Sequence, residues 1–162
     1  TDLDANPQYP ASCAKSQSGC AVCPVSNIIT VTASSSSDNL ACMRTSCCPV
    51  SCLGYASYGD QTVHLGAPGV DIRSTIYQGS SPSYGLATGS SEATPHVAGA
   101  AALYKSSHPE ASPQDVKNYL ITSGTHLSDL CNGNGHGYFA GDKDSFHEPL
   151  LYIGTNKMAL LS

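Results

Sequence analysis

Two adjacent serines, Ser90 and Ser91, precede an apolar segment that ends at Leu103. From Val97 onward every residue of that segment is Val, Ala, Leu or Gly. This composition is typical of a helix that is buried on all sides. Pro95 fits only the first turn of such a helix, because the N–H group that proline lacks has no acceptor within the helix there. We therefore expect both serines at the helix N-terminus.

A serine at a helix N-terminus can do one of two things. It can cap the helix, accepting a hydrogen bond from one of the first unpaired N–H groups. Alternatively, it can attack a carbonyl carbon while those N–H groups stabilise the oxyanion that forms. His96 comes five residues after Ser91, more than one turn further along, so it should point elsewhere and is interpreted as a structural core histidine. Ala93 replaces the second glycine of the G-x-S-x-G elbow and excludes that motif.

Cysteines form the second group of residues that could do chemistry. Seven of the eight fall between residues 13 and 52: Cys13, Cys20, Cys23, Cys42, Cys47, Cys48 and Cys52. An even, clustered set in a chain with few charges is typical of an oxidised, secreted protein. We expect at least two disulfides within residues 13–52 and an extracellular location. The alternatives are free thiols or a zinc site that uses the C-x2-C spacing of Cys20 and Cys23.

The bulk composition narrows the class of protein. The chain has 162 residues, of which 40% are hydrophobic, and a net charge of -5. This length suits one domain with a core of its own. The negative charge gives no electrostatic reason to expect nucleic acid or an anionic membrane as partner. No apolar run approaches the ~20 residues of a membrane-spanning helix.

The order of predicted elements indicates an α/β chain with parallel pairing. Asn27–Ala33 is apolar and β-branched, as in a buried strand. Two extended pieces are expected around a turn at residues 66–69. Ser112 and Asp115 predict a capping box at the start of a second helix. Residues 149–154 form a short predicted strand, whereas residues 1–27 and 41–54 are interpreted as loops.

The segment Gly89–Gly99, G-S-S-E-A-T-P-H-V-A-G, resembles the nucleophile motif G-T-S-x-A-T-P-H-V-A-G of subtilisin-like serine proteases. The resemblance extends from about Asn6 to Thr125. It implies an α/β fold, a mostly parallel sheet with a central buried helix, as part of a three-layer domain. It makes residues 1–162 the C-terminal portion of the peptidase domain, with cysteine-rich insertions near 13–26 and 41–54. By this match Ser91 is the nucleophile, and the position of His96 is structural in the family.

Most of the family's catalytic machinery is not found in this sequence. The family carries Asp, His and Ser in that order, yet neither its D-T/S-G segment nor H-G-T-H-V-A-G occurs here. The G-N segment with its oxyanion asparagine would come just before Thr1. We expect a preceding segment outside this chain to supply these groups, so that the chain alone is inactive. The remaining histidines are interpreted as loop or surface residues: His64, His108, His126, His136 and His147.

Two positions depart from the family pattern. Glu92 stands where the family very often has Met, and its carboxylate could attract the catalytic imidazolium or clash with substrate. His64 stands where the family usually has an Asp that binds calcium in some members. The resemblance implies no required cofactor. Calcium stays open as an alternative, but no motif in this chain supports it.

The leading hypothesis is a serine endopeptidase that hydrolyses peptide or protein substrates through an acyl-enzyme on Ser91. The alternative is a catalytically silent, disulfide-stapled binding or structural module derived from a subtilase. A zinc-binding, cysteine-rich protein is the third hypothesis.

Overall fold

The structure, a computed structural model, describes residues 1–14, 25–36, 40–44, 52–124 and 148–153. Within these residues the chain forms six strands and two α-helices: β1 (Val31–Ser34), β2 (Cys42–Arg44), β3 (Cys52–Tyr55), β4 (Leu65–Pro68), β5 (Ile72–Gln78), β6 (Ser81–Ala87), α1 (Ser90–Ser107) and α2 (Pro113–Ser123). A short 3-10 helix, Ala11–Ala14, precedes β1. None of the helices in the described residues combines the length and apolar character that a membrane crossing requires.

Parallel pairing lies at the centre of the fold. β1 pairs with β4 in parallel, with Val31 opposite Leu65. On the other side of β4, Gly66 forms a parallel bridge with Leu150, and the Leu151 N–H group donates to the Gly66 carbonyl at 2.7 Å. The last predicted strand thus contributes a single bridge beside β4.

Helix α1 packs on this parallel pair, which confirms the predicted α/β class. The interface consists of small and medium apolar residues from three elements: Ala33, Leu65, Ala67, Ala93, Val97 and Ala100. Within the described residues the burial of α1 is one-sided, because Ala98, Gly99, Ala102 and Leu103 are exposed. The apolar stripe that the sequence carries on that side therefore has no cover among the described elements.

Helix α2 begins as predicted. Ser112 accepts from the Asp115 N–H group at 3.2 Å, and the Ser112 N–H group donates to the Asp115 carboxylate at 2.8 Å. Both bonds of the capping box are therefore present. The rings of Tyr104 and Tyr119 stack at 4.1 Å between centroids and join the two helices.

Strands occupy two segments that were predicted to be a loop and a turn. Residues 41–54, interpreted as a loop, contain β2 and β3, which pair antiparallel with an irregular register. Strands of three and four residues show too little alternation for the sequence to reveal them. Residues 66–68 belong to β4, so the turn lies at residues 69–71 and not at 66–69. β5 and β6 pair antiparallel over seven residues each.

The predicted disulfide framework falls mostly outside the described residues. Cys13 is disulfide-bonded, whereas Cys20, Cys23, Cys47, Cys48 and Cys131 lie outside the described residues. The number of bridges and their pairing stay predictions.

Candidate active site

The start of α1 is fixed by the turn that follows β4. The Gly89 N–H group donates to the Gly69 carbonyl at 2.8 Å. In turn, the Gly89 carbonyl accepts from the N–H groups of Glu92 at 3.1 Å and Ala93 at 3.3 Å. The first turn of the helix is thereby anchored to the carboxyl end of the parallel pair formed by β1 and β4.

Ser91 lies in that first turn and is exposed. The N-cap residue is Gly89, and no side chain caps the helix by a hydrogen bond. The capping role that the sequence left open for the two serines is therefore not used. The first N–H groups of a helix have no acceptor within it and carry a partial positive charge, so an anion beside Ser91 would be stabilised.

An open cavity of about 330 Å³ lies beside Ser91. Its lining combines the first turns of α1 with the start of β5: Ile72, Arg73, Ser74, Ser91, Glu92, Pro95 and His96. The volume is within the range of pockets that hold small ligands. The structure therefore places the predicted nucleophile on a surface that a substrate can reach.

Glu92 brings a negative charge into this cavity. Its side chain is half-buried, and Oε2 lies 3.0 Å from the point where a β-carbon on Gly89 would stand. The carboxylate is therefore folded over the N-terminus of α1, where the helix dipole favours it. An oxyanion formed at Ser91 would be stabilised by the same helix N-terminus.

His96 lines the same cavity, but its ring is hydrogen-bonded to the helix backbone. Its Nδ1 lies 2.9 Å from the Glu92 carbonyl oxygen. Since a carbonyl only accepts, Nδ1 carries the proton in this bond. The ring is half-buried, and this geometry fits the structural role expected from its position.

The other described histidines lie elsewhere. His64 Nδ1 accepts from the Thr30 N–H group at 3.1 Å, next to the parallel pair. His108 stacks on Tyr104 at 4.4 Å, at the end of α1. Neither lines the cavity beside Ser91. Among the described histidines only His96 lines that cavity, and its Nδ1 is hydrogen-bonded to the Glu92 backbone carbonyl. His126, His136 and His147 lie outside the described residues.

Sequence reasoning missed the contribution of β5 to this cavity. Arg73 belongs to an exposed strand, and nothing in its neighbourhood along the chain marks it as a site residue. It reaches the cavity because the β5–β6 hairpin leads directly into α1. Among the described residues, no group of three or more His, Cys, Asp or Glu side chains could hold a metal ion, while most of the cysteines of the zinc hypothesis lie outside them.

Comparison with known proteins shows to which protein family the chain belongs. The model of the Subtilase family matches residues 2–139. This match covers most of the chain, and the chain therefore belongs to the subtilase family, whose members are serine peptidases. The predicted resemblance is confirmed.

Individual relatives agree with this assignment. Subtilisin NAT from Bacillus subtilis subsp. natto is 44% identical over 73 residues, which are 45% of this chain and 18% of that protein. Subtilisin from Bacillus pumilus is 49% identical over 61 residues, which are 38% of this chain and 21% of that protein. A solved structure, a cold-adapted subtilisin-like serine proteinase, has 29% identity and a TM-score of 0.57, and the match covers 80% of this chain and 37% of that one. The chain therefore spans less than half the length of these relatives.

Proposed function

We propose that this chain is the C-terminal part of the catalytic domain of a serine endopeptidase, in which Ser91 is the nucleophile. The observation that carries the proposal is the placement of Ser91, exposed and free of a capping role, in the first turn of α1 beside an open cavity. Membership of the subtilase family supports the reaction type. The substrates would be peptides or proteins, and the enzyme would act outside the cell.

The chemistry would proceed through an acyl-enzyme. The Ser91 hydroxyl oxygen attacks the scissile carbonyl carbon while a histidine takes its proton. The Ser91 N–H group, one of the unpaired donors of α1, helps to hold the oxyanion. Collapse of the intermediate expels the amine, which receives the proton from the histidine, and water then hydrolyses the ester.

The base, its partner Asp and the second oxyanion donor would come from a preceding segment of the same domain. In subtilisin itself, removal of the nucleophile or the histidine alone lowers kcat by about 10⁶-fold. Ser91 without such a segment should therefore show little turnover. No cofactor would be needed for this reaction.

A fluorophosphonate probe tests the proposal. The chain alone should not be labelled, whereas the chain extended by a segment that carries the Asp, His and Asn should be labelled and should hydrolyse peptides. Ser91→Ala should abolish both signals, and Ser90→Ala, a matched control one residue away, should retain them. Equal labelling of the Ser91→Ala form would show that another residue is the nucleophile.

A second candidate function is favoured by the Glu92 carboxylate. A negative charge folded over the N-terminus of α1 opposes a second negative charge on an oxyanion at the same place. A correctly folded, extended protein that stays silent toward the probe would therefore indicate a binding module, stapled by disulfides and derived from an enzyme.

A further inference from the structure

The cavity beside Ser91 carries an acidic group for which the serine chemistry has no use. Glu92 follows Ser91 directly, and both side chains line the same cavity. Acyl transfer needs a hydroxyl, an imidazole and oxyanion donors, but no carboxylate next to the nucleophile. Some other property of the site has to account for Glu92.

The positively charged residue in the lining of this cavity, Arg73, contacts an aromatic ring. Arg73 lines the cavity, yet its guanidinium carbon lies 5.6 Å from the centre of the Tyr84 ring. This distance is that of a cation–π contact. The Tyr84 ring belongs to the exposed face of the β5–β6 hairpin. Among the described residues Arg73 forms no ion pair with Glu92, so the Glu92 carboxylate can pair with a cationic group of a ligand.

A peptide bond presented to Ser91 lies beside this cavity, because Ser91 is one of its lining residues. The residues on either side of its scissile bond lie within a few ångströms of the nucleophile, and a long side chain next to that bond can enter the cavity. A partly buried carboxylate favours a cationic group there and disfavours an anionic one.

We propose that Glu92 is a specificity-determining residue, which selects peptides with lysine or arginine next to the bond presented to Ser91. The proposal rests on the proposed function for the identity of that bond. The attraction between Glu92 and a basic side chain, however, needs only binding, so the two ideas can fail separately.

The test is a binding measurement in a form that cannot cleave. The extended chain with Ser91→Ala is titrated with two acetylated, alanine-based peptides that differ only in a central Lys or Gln. At low ionic strength the Lys peptide should bind about two- to fivefold more tightly, as for a solvent-accessible ion pair. The preference should shrink at high salt because ions screen the attraction.

Two variants decide whether Glu92 is responsible. Glu92→Gln, which keeps the shape of the side chain, should remove the preference, and Glu92→Lys should turn it toward a peptide with a central Glu. Glu110→Gln is the matched control, because Glu110 is exposed in the connection between α1 and α2 and does not line this cavity. It should leave the preference unchanged.

Equal binding of the Lys and Gln peptides, or a Lys preference that survives Glu92→Gln, would overturn the inference. Fluorophosphonate labelling of the active form, measured in parallel, reports on the proposed function. A Lys preference that depends on Glu92 in a protein that is never labelled would leave the inference standing and refute the peptidase.

Discussion

Replacing Gly69 by alanine should disturb the fold and the candidate site together. Gly69 lies in the turn after β4, where its N–H group donates to the Ser34 carbonyl at 2.9 Å and its carbonyl accepts from Gly89 at 2.8 Å. An added β-carbon would lie 2.6 Å from both Ala33 Cβ and the Gly89 carbonyl oxygen. Neither atom belongs to a flexible side chain, so the backbone has to move.

The size of that movement follows from the distances. Ordinary van der Waals contact begins at 3.4 Å, so the neighbours must shift by 3.4 − 2.6 = 0.8 Å. Overpacking of this kind costs about 1–3 kcal/mol. Gly89 precedes Ser91 by two residues and anchors the start of α1, so the shift is passed to the nucleophile. A misplacement of ~1 Å can lower the rate by about 10²-fold.

Chemical unfolding followed by circular dichroism, together with the rate of fluorophosphonate labelling in the extended protein, measures both effects. Gly99→Ala in the same chain is the matched control, because its β-carbon would meet nothing within 4 Å. Alanine in an exposed helix position should raise the free energy of unfolding by about 0.5–1 kcal/mol. An unchanged free energy and labelling rate for Gly69→Ala would refute the argument that Gly69 is required by close packing.

Three further perturbations have defined outcomes. Lys117, buried in α2, donates to the Ile28 carbonyl at 2.6 Å, so Lys117→Met should lower the free energy of unfolding in urea by about 1.5–3 kcal/mol; no change would mean that water replaces the ammonium. Hydrogen bonds from Ser112 hold the pKa of the Asp115 carboxyl below its ordinary value of 3.8. The stability from this carboxylate is therefore present above about pH 3.8 and lost as the pH falls through the lower, folded value. Asp115→Asn should remove that dependence from acid titrations of stability, and an unaltered titration would contradict the assignment. Reduction of the disulfide at Cys13 should lower the free energy of unfolding by about 2–4 kcal/mol, as is typical of a native bridge, and a native chain with eight free thiols would exclude the bridge.

Local signals in the sequence were sufficient for the helices. The capping box at Ser112 and the position of Pro95 mark where α2 and α1 begin, and both depend on residues within one turn of each other. The antiparallel strands were not predicted, because pairing such as that of Cys42 with Tyr55 joins residues thirteen positions apart through short, irregular strands.

The same distinction between local and long-range signals applies to the candidate site. The motif around Ser91 predicted a serine at the start of a helix, and the structure places it there, exposed. Arg73 could not be predicted, since it reaches the cavity only through the hairpin that β5 forms with β6. The one-sided burial of α1 was also beyond local reasoning, because it depends on which other elements are present to cover Leu103, which is 42% exposed.

Mapping the fluorophosphonate adduct by mass spectrometry tests the central claim most directly. The extended chain is labelled, digested and sequenced across the Gly89–Gly99 segment, in which the two serines are adjacent. The account predicts that the adduct lies on Ser91, and that unlabelled Ser91 is found only in the inactive fraction. An adduct on Ser90, or on a residue outside this segment, would contradict the assignment of Ser91 as the nucleophile.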